Sequence, residues 1–174
     1  MSCNKSKEFN IEFATRMSEA SFLILESNRP EAERAAIYTA LLACEIALKS
    51  ALESAGLTLA EIPKTHNLAK LLTMVSSCTV LISTNAETTR PMPASRLRGI
   101  IVDPAYGDAT VGNLLQGEKY GASVFPNEIR YGSILRHFPA LLICKLSSKV
   151  IEWVNENEET INCSSNPRQT NSKD

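Results

Sequence analysis

Surplus charge of either sign is missing from this chain: 18 lysines and arginines meet 19 aspartates and glutamates, for a formal net charge of -1. Such a balance sets up no global field toward nucleic acid or an anionic membrane, so any contact with a polyanion has to be local. Aromatic residues are scarce at 6%. Leu, Ala and Ile dominate the apolar set, which suits packed helices better than a sheet. Long apolar runs are lacking as well. The strongest, residues 36–48 and 134–146, contain charged or polar side chains and fall short of the roughly 20 residues a bilayer span requires. The first nine residues hold no contiguous apolar segment, which argues against a secretory signal and predicts a cytoplasmic protein with no membrane contact. The five cysteines, at positions 3, 44, 78, 144 and 163, form no C-x-x-C pair and have no histidine at ligand spacing. Neither a disulfide framework nor a zinc site is expected from them. Cys44 and Cys144 fall in apolar helical patterns, where a free thiol behaves as a small buried hydrophobe. Phosphate-binding glycine loops of the Walker and dinucleotide types are absent, as are internal repeats.

What is present suffices for one core. A length of 174 residues with 44% hydrophobic side chains fits a single domain, expected over residues 5–160 and followed by a disordered polar tail at 161–174. A first amphipathic helix is predicted at about 5–26, with Phe9, Phe13, Met17, Ala20 and Ile24 as its apolar stripe. Asn28 and Pro30 suit the start of a second helix, in which Ile37, Leu41, Cys44, Leu48, Ala51 and Ala55 keep one stripe up to the stop at Gly56. After Pro63, Thr65 is the predicted N-cap of a third helix with Leu68, Leu71, Leu72 and Val75 inward. Residues 76–127 are rich in proline and glycine. Short helices are expected there at about 95–102 and after Asp108, around Val111, Leu114 and Leu115. A last helix begins between 133 and 139 and runs to about 157, burying Leu142, Leu146, Val150, Trp153 and Val154. The fold class predicted is all-α.

The run Ala43-Cys44-Glu45-Ile46-Ala47-Leu48-Lys49-Ser50-Ala51-Leu52, then Gly56, then Thr65-His66-Asn67-Leu68, resembles the HEPN (higher eukaryotes and prokaryotes nucleotide-binding) family. There a helix with an A-x-E-x-x-L-K-x-x-L run precedes a loop and a [ST]-H-[DN]-L start. Arg130-Tyr131 is similar to the family's R-Y step before its last helix, a feature of the non-nuclease branch. The resemblance implies an antiparallel four-helix bundle with one or two short extra helices, a homodimer, and often a nucleotidyltransferase partner. It further implies a module that binds RNA, a nucleotide or a partner protein in a toxin-antitoxin or defence setting.

Each motif residue also has a local reading. Glu45 and Lys49 are four apart in the favourable order for a helix-surface pair. Because Glu45 lies beside the apolar stripe, its carboxylate needs a further donor, and Arg130 or His66 is the expected one. A structural role is therefore expected for Glu45, Lys49, His66 and Tyr131. The alternative is catalytic: Arg130 and His137 have R-x6-H spacing, within the R-x4-6-H signature of the ribonuclease branch. There the imidazole would deprotonate a ribose 2′-hydroxyl and the guanidinium would steady the phosphate charge across a dimer, without metal or cofactor. Arg90, Arg96 and Arg98 form the chain's basic cluster, with no acidic residue between Thr88 and Val102. Arg96, Arg98 and Arg130 are the predicted contacts for RNA or a nucleotide.

Overall fold

Runs of alanine and leucine broken by proline and glycine give helices joined by turns. The computed structural model describes residues 8–83, 89–107, 109–116 and 139–163. Among these residues it has five α-helices: α1 (Ile11–Glu26), α2 (Ala32–Ser54), α3 (Leu68–Ser76), α4 (Val111–Gln116) and α5 (Ala140–Asn157). The axis is α2. Both α1 and α5 pack on it and on each other, and α3 packs on it too. By length and composition α2 could cross a membrane, yet 72% of its most apolar window is buried inside the protein, so its place in the core accounts for its hydropathy.

Gly56 ends α2 in the way its sequence position predicts. It has φ 93°, a left-handed conformation that glycine adopts without steric penalty. Leu57 N–H then reaches the Leu52 carbonyl and Gly56 N–H the Glu53 carbonyl, each at 3.1 Å, which is the Schellman pattern of crossed bonds. The α3 cap differs from expectation. Asn67, not Thr65, is the N-cap, its side chain accepting from Lys70 N–H at 2.9 Å, while Thr65 Oγ1 accepts from Asn67 N–H. An amide oxygen two residues later serves the first turn better than the hydroxyl, and His66 is left outside the helix.

In α1 the larger apolar side chains do not mark the inner face. The buried residues are Ala14, Ser18 and Ser21, whereas Phe13 is 49% exposed and Met17, Ala20 and Ile24 are half-buried. The cause is α5: Ser18 Oγ and Ser147 Oγ lie 2.7 Å apart in the core, and Ser21 Oγ donates to the Ser18 carbonyl. Side chains that small allow the two helices a close approach and still satisfy their own hydroxyls. The stripes predicted for α2, α3 and α5 are all buried. Cys44 and Cys144 are buried free thiols. Burial pushes the titration of both upward, with a Ser21 hydrogen bond partly opposing it at Cys144, so neither is a ready nucleophile.

The expectation of an all-α four-helix bundle is overturned by a three-stranded antiparallel sheet of order β2-β1-β3: β1 (Thr79–Ser83), β2 (Thr89–Pro93) and β3 (Ile161–Asn162). In the register, Val80 lies opposite Met92 on one side and Ile161 on the other. Two prolines in β2 hide it from a sequence reading, but β2 is an edge strand, and there a missing N–H is tolerated. The two expected short helices do exist, one as a 3-10 turn at Ala94–Gly99 and the other as α4. Residues 161–163, expected to open the tail, belong to the fold. Ile161 is buried and belongs to β3, and Cys163 is joined by a disulfide to Cys78, a bond not anticipated from the scattered cysteines. Cys163 N–H also donates to the Ala55 carbonyl at the end of α2. Disulfides persist in oxidising surroundings and are rare where cytosolic thiols reduce them, so this bond and cytoplasmic residence make opposite demands.

A further tie crosses from the middle of the chain to α5. Lys145 Nζ donates to Asp103 Oδ2 at 2.7 Å, and this hydrogen bond, with one from Ala105 N–H, holds the Asp103 carboxyl below its ordinary value of 3.8. A depressed folded-state value means the ionised form favours the fold: the contribution is present above the unfolded value and lost as pH falls through the folded one. Asp103→Asn is therefore expected to flatten the acid limb of a stability profile below about pH 4 while changing its shape little near neutrality, read by urea midpoints across pH.

Candidate functional site

Glu45, Lys49 and His66 are brought together by the packing of α3 and its approach loop on α2. Residues 45 and 49 share a face of α2 one turn apart, and the Pro63–Asn67 segment lays His66 across them. Lys49 Nζ donates to Glu45 Oε1 at 2.8 Å. His66 Nδ1 lies 3.1 Å from Oε1 and 3.0 Å from Oε2, donating to the carboxylate when that nitrogen carries the proton. Both partners of the ion pair are buried, with side-chain exposures of 10% for Lys49 and 7% for Glu45, while the imidazole is 55% exposed. The donor expected for Glu45 is thus supplied by His66.

The cluster is closed electrostatically. One carboxylate takes one ammonium and one imidazole, and the Phe9 ring lies 5.4 Å from Lys49 Nζ, within cation–π range. Such an arrangement braces the α2–α3 junction, since a buried charge without its partner would cost several kcal/mol. It leaves no carboxylate free for proton transfer. Among the described residues no group of three His, Cys, Asp or Glu side chains is placed to hold a metal.

The basic cluster lies elsewhere. Arg90 is on β2, and Arg96 and Arg98 are on the 3-10 turn that follows it directly. Arg90 and Arg96 are exposed and Arg98 is half-buried; none forms an ion pair with a described acid. The turn beneath them is fixed. Ala94 and Leu97 are fully buried, Ala94 N–H donates to the Cys78 carbonyl at 3.0 Å, and α4 passes so close that a Cβ on Gly112 would meet the Arg98 carbonyl oxygen at 3.0 Å. The backbone that carries the three arginines is therefore an anchored shoulder. Arg130, Tyr131 and His137, predicted as binding, structural and catalytic residues, lie outside the described residues.

Sequence reasoning found Glu45, Lys49 and His66 but missed Phe9 as a partner of Lys49. It also missed Glu53, whose carboxylate accepts from Glu8 N–H and Phe9 N–H at 3.1 Å each and so fixes the chain ahead of α1. Spacings of 45 and 44 residues give no local signal for those contacts. Comparison of the chain with protein-family models, curated proteins and solved structures finds no match.

Proposed function

We propose that this protein is a non-catalytic RNA-binding module built on a HEPN-like pair of helices, α2 and α3, with Arg90, Arg96 and Arg98 as its phosphate contacts. The observation that carries this reading is the anchored shoulder: three arginines on the continuous segment Thr89–Gly99, unpaired with any described acid, above a buried Ala94 and Leu97. Guanidinium forks suit phosphate oxygens, and held on a fixed surface they lose less freedom on binding. The near-zero net charge makes this local patch the main source of attraction. The Glu45 cluster supports the same reading from the other side, because Glu45 is held by both Lys49 and His66 and the three residues brace the scaffold.

Fluorescence anisotropy with a labelled single-stranded RNA tests it. The triple variant Arg90→Gln, Arg96→Gln, Arg98→Gln is expected to bind about 50-fold more weakly at low salt, with the salt-dependence slope reduced by about 2. Equal binding by both proteins would remove the proposal. The R-x6-H spacing of Arg130 and His137 favours a second reading, a dimeric metal-independent endoribonuclease. Incubating wild type and His137→Ala with RNA in EDTA separates the two, since cleavage lost only in the variant would establish the enzyme.

A further inference from the structure

Ahead of α1 and beside the α2–α3 connection is a cleft of about 430 Å³, lined by Glu8, Phe9, Lys49, Leu59, Ile62 and Lys64 among others. That volume is in the range of small-molecule sites. Its walls are held before anything binds. Glu53 fixes Glu8 and Phe9 through their N–H groups, and in the connection Glu61 Oε2 accepts from both the Thr58 N–H and the Thr58 hydroxyl at 2.8 Å. Ile62 is buried and Leu59 is a 46% exposed lip.

Lys49 lines this cleft with its side chain nine-tenths buried. An ammonium has three N–H donors. Among the described residues only Glu45 Oε1 offers Nζ an oxygen, and the Phe9 ring at 5.4 Å covers a further direction with its π face. Because Lys49 lines the cleft, the donors that Glu45 leaves over are open there to water or to a ligand oxygen. Lys64, exposed at the rim, adds a second cation. Lys49 and Lys64 are balanced by Glu45 and Glu8, so the site is not built for a dianion.

We infer that this cleft binds a small organic monocarboxylate with an apolar body, the carboxylate held by Lys49 and Lys64 and the body laid against Phe9, Leu59 and Ile62. The site is separate from the arginine shoulder and does not depend on it. One carboxylate replaces water at the Lys49 donors that Glu45 leaves over, and the apolar wall favours a hydrocarbon body over a second polar group.

The probe is 3-phenylpropanoate, titrated into the isotope-labelled full chain and followed by amide chemical shifts, with 3-phenylpropanamide and inorganic phosphate as controls. Saturable shifts at Phe9, Lys49, Leu59 and Lys64 are expected, with a Kd of about 1 mM, ordinary for a ligand of this size. The amide and phosphate should each bind about tenfold more weakly or not at all. Lys49→Met should abolish binding, but it breaks a buried ion pair and could perturb the fold, so Lys64→Gln, at an exposed position, is the deciding variant. It is expected to weaken the probe about fivefold with an unchanged spectrum otherwise. Amide binding as tight as the acid, no saturable shift at these residues, or unchanged affinity in Lys64→Gln would each overturn the assignment.

Discussion

Cys163→Ser is expected to lower the unfolding free energy of the oxidised protein by about 4.5 kcal/mol, the loss predicted when a cross-link closing a loop of this length is removed. The two cysteines are 85 residues apart in sequence, and a bond of that span restricts the unfolded chain far more than the folded one. Next to the bond, β1 and β3 pair through Thr79↔Asn162 and Val80↔Ile161. β3 has few other means of attachment. It contributes two residues, helped by Leu81 N–H to the Thr160 carbonyl and Cys163 N–H to the Ala55 carbonyl, both at 3.2 Å. Urea unfolding with and without dithiothreitol measures the effect. Wild type should lose most of the difference on reduction, whereas Cys163→Ser should be indifferent to the reductant. A variant as stable as the oxidised parent would show that the cross-link contributes nothing.

A second large effect is expected at the buried ion pair. Glu45→Leu should cost about 3 kcal/mol, because it strands the Lys49 ammonium in a site where its side chain is 10% exposed. Lys49→Met should cost less, since His66 Nδ1 still reaches both oxygens of Glu45. The double variant Glu45→Leu, Lys49→Met is expected to return to within about 1 kcal/mol of wild type, as replacing both partners of a buried pair with apolar groups removes the desolvation cost together with the attraction. His66→Ala should be the mildest, about 0.5 kcal/mol, given an imidazole more than half exposed. Urea denaturation of wild type, Glu45→Leu, Lys49→Met and the double variant gives the cycle directly. Additive single effects would mean that the two charges do not cooperate, and the bracing role given to this cluster would fall with them.

The helices that were legible in the sequence are those whose inner face is also their most apolar one. In α3 and α5 the stripe, the burial and the spacing coincide. α2 was legible too, through its stripe and through Gly56, because a left-handed C′ residue has a local cause. α1 misled for a physical reason: hydrophobicity marks Phe13 and Met17 as inward, but the partner surface on α5 selects Ala14, Ser18 and Ser21 by size and hydrogen bonding, which no single-helix pattern reports. The sheet was invisible because proline argues against a strand unless its edge position is known, and that position is a tertiary fact. The disulfide is tertiary in the same sense. At the candidate site, the association of Glu45 with Lys49 could be read from a four-residue step, whereas the place of Glu45 beside the apolar stripe called for a donor and left Arg130 and His66 as alternatives. The Phe9 and Glu53 contacts, and the cleft they frame, depend on how the start of α1 returns to α2, and nothing local in the sequence encodes that return.

The contact between α1 and α5 has a consequence for the uniqueness of the fold. An interface of leucines can slide by a turn and find new partners of nearly equal energy, because dispersion has little directional preference. The Ser18–Ser147 hydroxyl pair has less freedom: Ser147 Oγ donates to the Cys144 carbonyl of its own helix, so Ser18 is the donor across the interface, and shifting either helix by a turn takes that donor from its acceptor. The pair acts as an index mark between two rods, contributing modestly to how stable the molecule is and more to the exclusion of every neighbouring alignment.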